Sequence, residues 1–153
     1  AELGEVARET PVVARTADGR RCDYRMICRR LTAVLNSSGR DLPRMTQGRA
    51  YNPAFMHPED LAALGVGGGD VVEIASPHGS ILGIVEPDST LRRGLVSMPH
   101  SFGDLPGRER ELRTQGSNTS QLTSVDVDYD RFTGMPRMSD VPVHVERYRG
   151  EIP

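Results

Sequence analysis

Two β-rich runs joined by a tight turn constrain the fold of this sequence more than any other feature. Residues 71–76 (VVEIAS) and 80–85 (SILGIV) are dominated by aliphatic and β-branched side chains, and Pro77-His78-Gly79 separates them. Apolar runs of this length around a short, Gly-containing connection are typical of a β-hairpin. The sequence therefore predicts an antiparallel pair of strands near its centre.

Further strands are predicted on both sides of this hairpin. Residues 24–28 and 95–98 read as short strands, and the alternating valines of 141–145 predict a last strand with one buried face. About five to seven short strands with one or two short helices favour a small barrel or sandwich over a doubly wound parallel sheet. The predicted class is mainly β with short helices.

One helix has clear start and stop signals. The stretch 52–65 is interpreted as a short helix. Pro58 suits the first helical position, and Glu59 and Asp60 complement the positive end of the helix dipole. Gly65 suits the left-handed residue that stops a helix. These signals predict a short helix over 58–64.

Length and charge exclude several classes of protein. The 153 residues suffice for one domain, and the net charge of -2 gives no reason to expect a nucleic-acid partner. No apolar stretch approaches the roughly 20 residues that span a bilayer, so we expect no membrane insertion. We predict a polar leader over residues 1–22, without a signal peptide, and a folded domain over 23–150. Cys22 and Cys28 form no disulfide framework, which favours a cytoplasmic location.

Several patterns that carry chemistry in other proteins are incomplete here. The 67–69 glycine run has neither the Lys of a Walker loop nor the strand-then-helix order of a dinucleotide fingerprint, so it predicts a turn. The four histidines are His57, His78, His100 and His144. They lack metal-ligand spacing, and only His100, which opens a long polar loop, is a candidate for contact with a cofactor. The aspartates of 126–130 lack the Gly and Glu of a calcium loop. We predict no catalytic residue and no metal ligand.

Polar loops remain as the candidate binding elements. All 19 basic residues are Arg, which reflects either the base composition of the gene or recognition of anions by planar guanidinium groups. Arg, Asn, Ser and Gln recur after strand 24–28, after strand 95–98, over 118–121 and over 137–139. Several such loops wrap a polar, phosphate-bearing ligand if they converge.

A series of short motifs resembles one known family. The matching segments are Arg29-Arg30, Asn36-Ser37-Ser38-Gly39, Tyr51-Asn52-Pro53, Met56-His57-Pro58-Glu59-Asp60, Leu64-Gly65-Val66, Gly69-Asp70-Val71-Val72, Gly79, Arg93-Gly94-Leu95-Val96, Asn118, Gln121-Leu122-Thr123, Gly134-Met135-Pro136 and Val141-Pro142-Val143. Their order and spacing over residues 23–149 resemble the C-terminal dinucleotide-binding domain of the molybdopterin oxidoreductases. That superfamily includes formate dehydrogenases, assimilatory and periplasmic nitrate reductases and dimethyl-sulfoxide reductases.

The resemblance implies a double-psi β-barrel of the aspartate-decarboxylase-like class. It implies that the barrel caps bis-molybdopterin guanine dinucleotide carrying molybdenum or tungsten. The remaining domains or subunits of the oxidoreductase are then its partners and supply the metal ligand, and the isolated domain is not catalytic. Carried over residue by residue, the cofactor contacts are Arg29, Arg30, Asn36, Ser37, His100, Ser101, Asn118, Gln121, Arg137 and Ser139. Many relatives have a Trp near the position of Ser101, and this chain has no Trp.

Two other functions stay open at this point. A free-standing double-psi barrel can serve as a protein-interaction or adaptor module, although such a module has no need of Arg, Asn and Gln on several loops around one site. A self-processing decarboxylase on the related barrel needs a Gly-Ser cleavage site and a Lys partner, and this chain has no Lys. The substrate of the parent enzyme is not encoded in this domain.

Overall fold

The computed structural model describes residues 13–103 and 111–151. Within these residues the strands are β1 (Tyr24–Arg29), β2 (Ala54–Met56), β3 (Val71–Ala75), β4 (Ser80–Pro87), β5 (Leu95–Pro99) and β6 (Val141–Arg147). The helices are α1 (Pro58–Leu64), the short α2 (Leu112–Gln115) and a single 3₁₀ turn, Thr119–Leu122.

The six strands close into a barrel in the order β1-β5-β2-β4-β3-β6. β1 runs parallel to β5 and β2 parallel to β4, whereas the other neighbouring pairs are antiparallel. Closure gives each strand a partner on both sides and leaves no open sheet edge. The predicted class, a mainly β double-psi barrel with short helices, is confirmed.

Inward-facing side chains fill the barrel. Met26, Met56, Val96 and Met98 are fully buried, and Val141, Val143 and Val145 form the predicted buried face of the last strand. A second apolar cluster lies outside the wall, where Leu112 of α2 covers Val71, Leu82 and Ile84 of β3 and β4. Burial of these side chains on both faces of β3 and β4 explains why their sequences are continuously apolar.

The predicted strands and helix are present, with one strand that the sequence analysis missed. The side chain of His57 accepts a hydrogen bond from the Glu59 amide at the start of α1, and Gly65 adopts a left-handed conformation with φ 67° at its end. Residues 54–56, which the stretch interpreted as a helix included, instead form β2. A strand of three residues is too short to show a period of its own and exists because it pairs with β4 and β5.

The connections are distributed unequally between the two ends of the barrel. β1, β3 and β5 finish at the end where β2, β4 and β6 begin. The connections 30–53 and 76–79 and the described residues of the connection 100–140 therefore all lie at this end, which we call the loop end. The opposite end carries 57–70, which contains α1, and the short connection 88–94. Both long connections of the barrel thus lie at the loop end.

The described part of the predicted leader packs on the barrel wall. Residues 13–22 fold back on themselves, with Cys22 donating a backbone hydrogen bond to the Ala14 carbonyl at 2.9 Å. Arg20 pairs with Glu73 of β3 at 2.9 Å and with Glu146 of β6 at 2.5 Å. Residues 1–12 of the leader lie outside the described residues, and the boundary at 23 stays a prediction. Among the described helices, none has the length and apolar character needed to cross a membrane.

Candidate functional site

The backbone of all ten candidate residues lies at the loop end. The guanidinium group of Arg29 is the exception among their side chains, because it reaches along the wall to Asp88 in the connection 88–94. Arg29 is the last residue of β1 and pairs in register with Pro99, the last residue of the parallel strand β5. Arg30 and His100 therefore leave the barrel side by side, since parallel strands end at the same edge. The other candidates follow on the connections 30–53 and 100–140. The topology thus brings together residues that are separated by up to about a hundred positions in the sequence.

Hydrogen bonds join the loop after β1 to itself and to the loop after β5. Arg30 donates from Nη1 to the Asn36 Oδ1 at 2.6 Å, so two predicted residues are direct partners. Arg40, which the sequence analysis did not select, donates from Nη1 to the Ser101 carbonyl at 3.1 Å. Asn36 and Ser101 both have positive φ, 55° and 68°. The two long loops therefore contact each other through a guanidinium group that no local pattern distinguished from the other arginines.

Arg29 is held on the outer wall of the barrel. Its Nη2 lies 2.6 Å from Oδ2 of Asp88, and its Nε donates to the Ser97 hydroxyl at 3.0 Å. The guanidinium carbon stacks 4.2 Å from the centre of the Phe55 ring. Hydrogen bonds from Thr90 and Arg29 lower the pKa of Asp88 to about 2. Arg29 thus ties β1, β5 and β2 together, and its contact with a cofactor stays a prediction.

Asn52 joins the loop after β5 to the segment that carries Asn118. Its side chain is 2% exposed. Nδ2 donates to the carbonyls of Pro99 and Ser117 at 2.8 and 2.9 Å, and Oδ1 accepts from the Ser117 amide at 2.7 Å. Ser117 also donates from its hydroxyl to the Leu82 carbonyl in β4. All the hydrogen-bonding groups of the amide side chain are used, so Asn52 fixes the distance between two of the candidate loops.

The segment before β6 is attached to β1. Ser139 accepts a hydrogen bond from the Cys28 amide at 3.3 Å, and the Cys28 thiol donates to the Met138 carbonyl at 2.8 Å. Burial raises the pKa of the Cys28 thiol, which agrees with a packed thiol rather than a nucleophile. Cys28 and Cys22 are both free. Ser139 is thus placed beside the end of β1 by the fold and not by its neighbours in sequence.

The other candidates have more local surroundings. Asn118 caps the 3₁₀ turn by accepting from the Ser120 amide at 3.0 Å. Gln121 has its backbone against Gly79 of the β3–β4 turn. Arg137 pairs with Asp128 at 3.1 Å. Ser37 is exposed, and His100 is half-buried. The Gln121 amide also donates to the Asn118 carbonyl at 3.1 Å, so these two candidates are direct partners.

The loop end also carries an exposed apolar rim. Of the ten large apolar side chains that are exposed among the described residues, nine lie on its two long connections. They are Leu35, Leu42, Met45, Val125, Val127, Tyr129, Phe132, Met135 and Met138. Val13 is the tenth. Such a concentration of apolar surface on one face is typical of a surface that another body covers.

The donor set at the loop end suits an anionic ligand that forms hydrogen bonds. Guanidinium, imidazole, hydroxyl and amide groups are present, and the positive φ of Asn36 and Ser101 turns the backbone sharply where the loops meet. Within 13–103 and 111–151, no group of three or more His, Cys, Asp or Glu side chains could hold a metal ion. The loop end can therefore bind phosphate or a heterocycle through hydrogen bonds and charge.

Comparisons with known proteins agree with this fold. The model of a family described as the molydopterin dinucleotide binding domain matches residues 24–142. Among the solved structures, 56 chains match. One is acetylene hydratase from Pelobacter acetylenicus, with a TM-score of 0.66 and 17% sequence identity, a likeness that shows the fold alone. The match covers 83% of this chain and 18% of that chain, so this chain spans less than a fifth of its length. No curated protein matches this chain.

Proposed function

The chain belongs to the molydopterin dinucleotide binding domain family, and from this premise we propose that it caps bis-molybdopterin guanine dinucleotide in a molybdenum or tungsten oxidoreductase. In this proposal the loop end contacts the cofactor and the rest of the enzyme supplies the metal ligand. The parent enzyme is formate dehydrogenase-like. Two free thiols, Cys22 and Cys28, support a cytoplasmic location.

The observation that carries the proposal is the convergence of the candidate residues at one end of the barrel. A ligand seated on the loop end meets both long connections and the β3–β4 turn at once. A barrel that served only as an adaptor would have no reason to gather these polar side chains on the face that also carries the apolar rim. The convergence therefore favours a ligand over a protein-only interface.

The residues at this end fit the chemistry of the group. A pyrophosphate requires cationic or N–H donors, and a pterin requires both donors and acceptors. Arg30 retains guanidinium nitrogens beyond the one bonded to Asn36, and His100 lies half-buried at the end of β5. When bound, the group supplies the redox chemistry of the parent enzyme. The residues of this chain bind it, orient it and exclude water.

The apolar rim supports the proposed partner. A capping domain must meet the body that holds the other side of the cofactor. The exposed apolar side chains lie on the same two connections as the polar candidates, which suits a surface that seals a polar ligand from water. We propose that the remaining domains or subunits of the oxidoreductase cover the loop end.

The decisive experiment measures the cofactor content of the enzyme that contains this chain. We expect the purified holoenzyme to contain molybdopterin, detected as its fluorescent oxidation product, with two guanine nucleotides for each molybdenum or tungsten atom. Arg30→Ala should accelerate loss of the pterin by roughly tenfold to a hundredfold, the value of one charge-assisted hydrogen bond.

The matched control is Arg149→Ala, since Arg149 is exposed and follows β6 at the opposite end of the barrel. It should retain the pterin like the wild type. Holoenzyme without pterin would refute the proposed function, and equal losses from both variants would refute the role of Arg30.

A further inference from the structure

We propose that the β-hairpin of residues 128–137, with Phe132 at its tip, is a docking element that inserts into an apolar pocket on the polypeptide holding the rest of the cofactor. The inference rests on the proposed function and adds to it the part of the surface that holds this domain against the rest of the enzyme. Apart from Arg137 at its base, the residues of the hairpin have no place among the candidate cofactor contacts, and the inference assigns them a role.

The hairpin is held in one conformation by its own hydrogen bonds. Asp130 donates from its amide to the Met135 carbonyl at 2.8 Å, and the Arg137 amide donates to the Asp128 carbonyl at 2.9 Å. At the tip, the Asp130 carboxylate accepts from the amides of Phe132 and Thr133 at 3.0 and 2.8 Å. These bonds lower the pKa of Asp130, with those from Thr133 the largest cause. The ionised carboxylate therefore pins the turn at neutral pH.

The tip presents apolar surface that nothing in the described part of the chain covers. Phe132 is 93% exposed, and Met135 and Tyr129 beside it are also exposed. The same connection adds Val125 and Val127. An aromatic side chain on a rigid turn loses little conformational freedom on binding, which is the property that makes such residues effective anchors at interfaces.

The base of the hairpin is fixed to the barrel beside the cofactor loops. Met138 and Ser139 bond to Cys28 in β1, one residue from Arg29. These bonds hold the base of the hairpin at the loop end, beside the last residues of β1. We therefore expect a body that presses a cofactor against the loops to meet the hairpin as well.

The share of acetylene hydratase that the match covers indicates which polypeptide the hairpin docks into. This fold makes up 18% of that chain, so most of that polypeptide lies outside the matched domain. By the proposed function, the equivalent remainder of the parent enzyme faces the loop end of this chain. The occupant is accordingly that remainder and not a second copy of this chain.

The test uses the holoenzyme that contains this chain. Phe132→Ser should accelerate loss of pterin on dilution by about tenfold or more, and protease should cleave between this domain and the remainder faster. The melting temperature of the Phe132→Ser variant, measured without cofactor, should stay within about 2 °C of the wild type, because the Phe132 side chain is exposed. Val13→Ser, which removes an exposed apolar side chain outside the long connections, is the matched control and should behave like the wild type.

Each outcome bears on a different claim. If the wild type holds pterin and Phe132→Ser retains it equally well, the docking element is refuted and the capping function stands. If Phe132→Ser changes only the sedimentation of the assembled enzyme, the hairpin joins copies and the proposal is wrong. A wild type without pterin would overturn the proposed function and the docking element with it.

Discussion

Replacing Asn52 with Ala should loosen the loop end more than any substitution of an exposed candidate residue. The side chain is buried and makes three hydrogen bonds that join the residue before the start of β2 to the end of β5 and to Ser117. Asn52→Ala removes all three and leaves the carbonyls of Pro99 and Ser117 and the amide of Ser117 without these partners.

The magnitude follows from the number of bonds. Each hydrogen bond contributes roughly 0.5–1.5 kcal/mol net, and buried groups left unpaired cost about as much or more. The loss should be about 3 kcal/mol, which lowers the melting temperature of a domain of this size by roughly 6–12 °C. Asn52→Asp keeps the volume but places a carboxylate against two carbonyl oxygens, so at neutral pH it should destabilise the domain at least as much.

Thermal and urea denaturation of the chain measure this effect. Ser37→Ala is the control, because Ser37 is exposed in the same loop; it should change stability by less than about 0.5 kcal/mol. Hydrogen exchange should also become faster at the Ser117 amide in Asn52→Ala. A melting temperature within about 2 °C of the wild type, with unchanged exchange at Ser117, would show that the network does not hold the loops.

Other perturbations give further expected outcomes. Gly103→Ala should lower the melting temperature by roughly 4–8 °C, because φ is 72° and the new Cβ would meet the backbone of 117–118; Gly94→Ala, equally left-handed but with open space, should lower it less. The pKa of Asp88 is lowered to about 2, with the hydrogen bond from the Thr90 hydroxyl as the largest cause. The ionised carboxylate therefore adds to the free energy of unfolding in full above the ordinary pKa of 3.8, and this stabilisation is lost as the pH falls through 2. Asp88→Asn should therefore melt below the wild type at pH 6, and a difference that is as large at pH 2 as at pH 6 would contradict this. The isolated chain should turn over neither formate nor nitrate with a dye acceptor, and turnover by the chain alone would contradict the capping function.

Several candidate residues could be selected from the sequence because their signals are local. Asn36 and Ser37 lie in an Asn-Ser-Ser-Gly turn, and His100 follows an apolar strand. The family resemblance then gave these positions a common role. The hydrogen-bond partners of these side chains could not be predicted from local signals, because the partners are distant in sequence. Arg29 reaches Asp88, and Ser139 reaches Cys28.

The elements with local signals were determined by the sequence itself. The hairpin around Pro77-His78-Gly79 and the helix from Pro58 to Gly65 follow from turn chemistry, capping and apolar runs. These features act within a few residues, so they can be recognised from the sequence alone.

Only the tertiary structure decided where these elements meet. β2 exists because β4 and β5 flank it, and Asn52 matters because it bonds to carbonyls 47 and 65 residues away. The order of strands around the barrel put both long connections at one end. Hydrogen bonds and ion pairs between distant residues form only after the chain has closed into a barrel, so no local pattern of residue types encodes them.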